Sequence, residues 1–245
     1  MIRVGCCGFP GGMEKYFKKF ELTEVQGTFY KLPKVETAEK WRGLAPASFE
    51  FTVKAWQGIT HPPTSPTWKR AGIKLSPEKL EKYGFLRPTG EVFEAWEKTR
   101  EICEALRAQI CLIQCPASFT ATEQNIRNMG KFFSEIDRGK LTIVWEPRGT
   151  PWTNQKVRML CEDLDLTHCV DPFAQDLLHF SKDIAYFRLH GKPPGEKMYY
   201  YRYAEKDLTW LLEKLRRLED ADLKVYCLFN NVYMEEDAER FIHLI

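Results

Sequence analysis

Eight short apolar runs, separated by longer stretches of helical spacing or turn chemistry, set the strongest limit on how this chain folds. They are "IRVGCC" (2–7), "LTEVQGTF" (22–29), "FEFTVK" (49–54), "QICLIQ" (109–114), "LTIVWE" (141–146), "LTHCVD" (166–171), "IAYFRLH" (184–190) and "KVYCLFN" (224–230). Between them, "TGEVFEAWEKTREICEALRA" places Val92, Phe93, Trp96, Ile102, Cys103 and Leu106 on one helical face. "TATEQNIRNMGKFFSEI" opens with Thr120-x-x-Glu123, which predicts a capping box there. "EKDLTWLLEKLRRL" and the closing "EEDAERFIHLI" read as further amphipathic helices. Strand then helix, repeated eight times within 245 residues, predicts an α/β fold of the TIM (β/α)8 barrel type. An open doubly wound sheet is the alternative, because alternation does not reveal closure.

No linker or repeat divides the chain, so residues 1–245 are expected to form one domain. A long loop at about 55–90, carrying "THPPTSPTWKR" and "LRPTG", is the exception to an otherwise compact pattern; loops of that length are usually lids or insertions. The 36 basic and 34 acidic residues nearly cancel to a net charge of +2, so any anion-binding face has to be local. No run is long and apolar enough to span a membrane or to serve as a signal peptide, which predicts a cytoplasmic protein with no membrane partner. Eight cysteines include no C-x-x-C pair, and Cys111, Cys115, Cys169 and Cys227 sit in apolar runs, the setting of structural thiols.

In a barrel the outward strand faces meet helices, and inward residues at the carboxyl ends line the mouth. Phe49, Phe51 and Val53 alternate with Glu50, Thr52 and Lys54, so the third strand turns its polar set inward. The same alternation selects Glu24, Gln26 and Thr28 on the second strand, and Gln114 on the fourth. Glu146 and Arg148 follow at the fifth, Asp171 at the sixth, Arg188 and His190 on the seventh, and Asn230 and Asn231 after the eighth. Within "YFRLHG", Tyr186, Arg188 and His190 point inward while Phe187 and Leu189 face the helices. A barrel built only for stability would fill such positions with Val, Ile and Leu, so a ring of charge indicates a functional pocket.

Chemically, Glu146, His190, Asp171 and Glu24 are candidate catalytic acids and bases, and Glu146, Asp171 and His190 are candidate ligands for a divalent metal. Lys54, Arg148 and Arg188 are candidate clamps for an anion, with Gln114, Asn230 and Asn231 as polar contacts, and with His61 if the long loop folds over. Trp152, with Trp56, Trp68 and the "YYYRY" run, supplies aromatic surface for a base or sugar, or else loop anchors. The Rossmann, P-loop and nucleophile-elbow motifs are absent.

"GCCGF", "TEVQGTFYKLP", "FEFTVKA" followed by "ITH", "QCPASF", "VWEPRGTPW", "YFRLHG" and "VYCLFNN" also occur in the order of a known pattern. The chain resembles the YecE-like family, the domain of unknown function numbered seventy-two, along almost its whole length. The resemblance implies a TIM barrel with its pocket at the carboxyl end. It adds Tyr30, Thr60 and Gly191 to the polar positions already named, and it implies a fold similar to metal-dependent apurinic endonucleases and sugar isomerases. Cys6-Cys7-Gly8-Phe9 departs from the usual Cys-Ser-Gly-Trp, and Gln26-Gly27 replaces the usual asparagine and small polar residue.

Three readings of function follow. The leading one is an enzyme acting on an anionic, phosphate-bearing substrate, nucleic acid included, with metal-assisted hydrolysis as its concrete form. The second is a non-catalytic module that binds nucleic acid or a small ligand. The third is a carbohydrate hydrolase or isomerase using Glu24 and Glu146 as paired carboxylates.

Overall fold

Each of the eight apolar runs is a parallel strand: β1 (Ile2–Cys7), β2 (Leu22–Val25), β3 (Glu50–Lys54), β4 (Ile110–Gln114), β5 (Thr142–Glu146), β6 (Thr167–Val170), β7 (Ile184–Leu189) and β8 (Lys224–Phe229). Every strand pairs with its neighbours in sequence, and β1 pairs with β8 from Ile2↔Val225 to Cys6↔Phe229, which closes the barrel. That closure is what alternation alone left open. The computed structural model describes residues 1–149, 152–193, 195 and 197–245; the Thr150–Pro151 portion of "VWEPRGTPW" lies outside the described residues.

The alternating faces separate two apolar layers. Phe51, Val53, Cys111, Ile113, Ile143, Trp145, Phe187, Leu189, Cys227 and Phe229 face outward into the layer shared with the helices. Leu22, Ile110, Leu112, Val144, Cys169, Ile184, Tyr186, Tyr226 and Leu228 fill the lumen, together with Cys7. The lumen is apolar through its middle; Arg3 and Glu50 pair at the amino-terminal end at 3.2 Å, where Tyr226 Oη donates to Glu50, and the larger group of charges lies at the carboxyl ends.

Helix Gly90–Ala105 buries Val92, Ala95, Trp96, Ile102 and Cys103, and Thr89 caps it by accepting from Val92 N–H at 3.3 Å. Helix Glu123–Glu135 begins later than the Thr120-x-x-Glu123 reading places it. Its cap is Thr122, whose hydroxyl accepts from Asn125 N–H at 3.2 Å, because the cap belongs to the residue immediately before the first helical one. Helix Glu205–Glu219 buries Leu208, Leu211, Leu212 and Leu215.

The second apolar run is shorter as a strand than its sequence suggests. β2 stops at Val25, and Gly27–Tyr30 form a helical turn in which Lys31 N–H reaches Gly27 O. Thr28 is thus not an inward strand residue: its hydroxyl lies 2.7 Å from both the Val25 and Lys54 carbonyls and joins the ends of β2 and β3. The long loop is folded rather than loose. It contains the short helices Gln57–Thr60 and Pro66–Arg70, and Gly84, Phe85 and Leu86 N–H groups bond back to Gly58, Thr60 and Ile59 carbonyls. Trp56, Trp68 and Tyr83 pack together inside it, so these tryptophans anchor the loop to itself. Among the described residues no helix is long and apolar enough to cross a membrane.

A candidate active site at the carboxyl end of the barrel

At the top of the lumen, side chains from strands on opposite sides of the barrel meet. Arg188, 1% exposed, is held between two buried carboxylates: Nη1 lies 2.5 Å from Glu146 Oε2, and Nη2 lies 3.0 Å from Glu24 Oε1. Glu24, fully buried, also accepts from Tyr186 Oη at 2.8 Å and from Gln26 Nε2, and Tyr186 Oη shares a hydrogen bond of 2.8 Å with Thr52. β2, β3, β5 and β7 are thereby tied across the barrel axis. The Arg188 guanidinium is raised further above its ordinary range: burial acts against its charge, and Glu146 and Glu24 outweigh that.

One level nearer solvent, Arg148 pairs with Glu146 Oε1, and its Nη2 lies 2.6 Å from His190 Nε2. Asp171 orients His190 from the other side: Oδ2 accepts from the His190 backbone N–H at 2.8 Å and lies 3.4 Å from Nδ1. These partners assign the ring proton to Nδ1 and leave Nε2 as the acceptor facing Arg148. Burial lowers the His190 pKa from its ordinary value, Asp171 acts against that, and Arg148 adds to the lowering; the imidazole is neutral at pH 7. Burial by itself would raise the Glu146 pKa, but Arg148, Arg188, His190 and Lys54 together hold it well below the usual carboxylate range.

Lys54 ends β3 with its side chain in the lumen, 7% exposed. Its ammonium lies over the Phe29 ring at 4.2 Å from the centroid, and no hydrogen-bond acceptor or carboxylate pairs with it among the described residues. Burial and then Arg188 lower its pKa from 10.5 to about 8, with Glu24, Glu146 and Cys7 acting the other way. His61, carried over the mouth by the folded loop, stacks edge-on to the same Phe29 at 4.8 Å, and its Nδ1 lies 2.7 Å from Thr60 Oγ1. Keeping Lys54 charged in this setting opposes folding by roughly 3 kcal/mol, the equivalent of the drop from 10.5 to about 8. Lys54→Met is accordingly expected to stabilise the protein at pH 7 by about 2 kcal/mol in urea unfolding. That gain should shrink between pH 8 and 10.5, where the native lysine is neutral and the unfolded one still holds its proton.

The remaining candidates occupy two kinds of place. Gln114 is in register beside Glu146, and Asn230 and Tyr30 are half-buried at the mouth, where Tyr30 Oη accepts from Arg70 at 3.2 Å. Asn231 instead ties the β8 loop, donating to Tyr201 O and Asp237 Oδ2 at 2.8 Å each. Trp152 is buried, donates to Phe119 O at 2.8 Å and packs edge-on against Trp145, which makes it part of the outer layer. Gly191 adopts φ +100, and a Cβ there would lie 1.9 Å from Met198 O, so only glycine admits the closing loop. Sequence reasoning did not single out Phe29, the surface under Lys54. It falls in a helical turn with no strand alternation to mark its direction.

Glu146, Asp171 and His190 do come together, but not as a metal centre. Both Glu146 oxygens rest on guanidinium groups, and Asp171 Oδ2 accepts from the His190 backbone. Among the described residues no three His, Cys, Asp or Glu side chains converge as ligands. A dication would have to displace Arg148 and Arg188, so this donor set does not fit a resident metal and no step is routed through one. A cleft of about 710 Å³ lies at the opposite end among Arg42, Glu50, Gln109 and Tyr226. In barrels of this fold that end serves stability, and functional sites are built at the carboxyl ends of the strands.

A family model described as a protein of unknown function, DUF72, matches residues 10–244. The chain belongs to the DUF72 family. It is 22% identical over 246 residues to the UPF0759 protein YunF of Bacillus subtilis (strain 168), covering 89% of this chain and 80% of that protein. A crystal structure of a DUF72 family protein from Enterococcus faecalis V583 superposes with TM-score 0.74 at 20% identity, covering 100% of this chain and 97% of that one. Another from Thermotoga maritima MSB8 gives TM-score 0.71 at 24% identity, with coverage of 100% and 98%. The fold is shared more distantly with a xylose isomerase domain containing protein from Salmonella typhimurium and with endonuclease IV from Thermus thermophilus. Their TM-scores are 0.61 and 0.51, at 13% and 12% identity; they cover 99% and 100% of this chain and 94% and 98% of their own. These structures bear on the fold alone at such identities.

Proposed function

We propose that the DUF72 barrel binds a small anionic substrate at its mouth and performs acid–base chemistry on it, with Lys54 and Arg148 facing the anion and His190 as the base. The observation that carries this is the unequal use of the three cations. Arg188 is consumed by Glu24 and Glu146 deep in the lumen, whereas Lys54 has no anionic partner among the described residues and Arg148 keeps 26% of its side chain exposed. A buried cation without a counter-ion is costly, and an arriving phosphate or carboxylate supplies one.

Binding also frees the base. When Arg148 turns from His190 Nε2 to the anion, that lone pair faces the ligand, and Asp171 keeps the ring oriented. Glu146, held strongly acidic, serves as a fixed negative charge that positions the two arginines rather than as a proton donor. This arrangement supports neither metal-assisted hydrolysis nor a glycosidase pair, since the latter needs one carboxylic acid with a raised pKa and both carboxylates here are tied to the same guanidinium.

Isothermal titration with inorganic phosphate, with glycerol phosphate and with a short single-stranded oligonucleotide tests the reading. Wild-type protein should bind one of the small anions with an affinity that falls as salt rises, and Arg148→Ala should weaken it about tenfold or more. Equal affinity in wild type and variant would overturn the proposal. Binding of the oligonucleotide alone would assign the anion to a nucleic-acid backbone.

A further inference from the structure

We infer that Lys54 is an amine nucleophile that forms an imine with a small aldehyde or ketone, whose carboxylate or phosphate is held at Arg148. The inference rests on the preceding reading for the position of the anion, and it changes the role of Lys54 from counter-ion to reacting group.

Lys54 is the last residue of β3 and projects into the lumen at the end of the barrel where this fold assembles reacting groups. A lysine that only binds anions is a hydrated point charge and gains from being at the rim. This one has its head group against the face of Phe29, with the neutral, edge-on His61 on the same ring and the Arg188 cation within electrostatic reach.

The two carboxylates that would otherwise fix it as an ammonium, Glu24 and Glu146, are already engaged by Arg188, and Glu146 by Arg148 as well. Apolar contact and a neighbouring cation are the two means by which proteins make a lysine nucleophilic. With its pKa near 8 instead of 10.5, about 300-fold more of Lys54 is free amine at pH 7 than of an ordinary lysine.

The Nζ lone pair attacks the carbonyl carbon and forms the C–N bond, while the C=O π pair moves onto oxygen, which takes up a proton to give the carbinolamine. Nitrogen then forms the C=N bond as the oxygen leaves as water. One hydrogen of that water comes from the amine and one proton from solvent, so the product is a protonated imine. The new positive charge lies in the field of Glu24 and Glu146, which already act on Lys54.

The test is reductive trapping on the full chain at pH 7. Protein is incubated with glyoxylate, glyceraldehyde 3-phosphate or acetaldehyde in the presence of sodium cyanoborohydride, and adducts are mapped by peptide mass spectrometry. Lys54 should be labelled by at least one anionic carbonyl roughly tenfold faster than the exposed lysines, despite its burial, and more slowly by acetaldehyde. Lys54→Arg should remove that adduct while melting as the wild type does.

Adducts confined to exposed lysines, or none at all, would overturn the inference. Because the mapping is done on wild-type protein, it does not depend on a variant folding. Phosphate binding without a Lys54 adduct removes the inference and leaves the anion reading standing. A Lys54 adduct formed equally with acetaldehyde, and unchanged in Arg148→Ala, upholds the nucleophile and overturns its anion anchor.

Discussion

Replacing Arg188 with methionine is expected to destabilise the protein by about 3–5 kcal/mol, the penalty for leaving buried charge without its partner. The change strands Glu24 and Glu146 together in the lumen, one fully buried and the other nearly so; Tyr186 and Gln26 remain to Glu24, and Arg148, with the Cys169 thiol and His190 at 3.8 Å each, to Glu146. Each must then stay charged in an apolar surround beside a like charge, or take up a proton. The loss should therefore be smaller at pH 5 than at pH 7, whereas removing an apolar core residue, which binds no proton, would give the same loss at both. Adding Glu24→Gln and Glu146→Gln to Arg188→Met removes the stranded charges and should recover most of the stability in urea unfolding. A single variant losing under about 1 kcal/mol, or a triple variant no better than the single, would show that this triad does not hold the strands together across the axis.

Acid should unfold this barrel earlier than its carboxylates alone would. Burial lowers His168 to about 4, with Glu146 acting the other way, and burial with Lys54 lowers His61 to about 3, both from 6.5. Each native ring is neutral where its unfolded counterpart takes a proton, so stability is complete above about pH 6.5 and declines as pH falls below it. The decline is about 1.4 kcal/mol per pH unit for each ring, until the folded ring itself protonates. Between about pH 6.5 and 4.5 the two together remove on the order of 5 kcal/mol. Glu146, depressed in the folded state, adds its own loss only below its unfolded value of 4.5. His168→Asn and His61→Asn should each flatten the pH dependence of urea stability by close to one proton, and an unchanged slope in both would refute the assignment.

How much of the site could be read in the sequence depends on what each residue's role requires. Arg188 and His190 two residues apart on β7, or Glu50, Thr52 and Lys54 on β3, face the lumen because a strand alternates, and that follows from local chain geometry. The misplacements occur where local rules compete. Gln26 and Thr28 continue the alternation of β2 on paper, yet the chain turns helical at Gly27, where loop hydrogen bonds to the β3 end replace strand pairing. Trp152 reads as a mouth aromatic, yet its ring finds Trp145 in the outer layer, a contact set by how the loop after β5 packs. The charges carried by β7 show the division most clearly. Their inward direction was evident, but their partners come from β2, β5 and the residue after β6, which are distant in sequence.

Sequence by itself determined the strand–helix order, which faces are charged, and membership in the DUF72 pattern, because periodicity and motif order are properties of neighbouring residues. Tertiary structure alone decided which cation is spent and which is available. Closure of β1 on β8 brings Glu24 and Glu146 onto Arg188 from different walls of the barrel, and so leaves Lys54, equally charged on paper, against a phenylalanine ring without a carboxylate partner among the described residues.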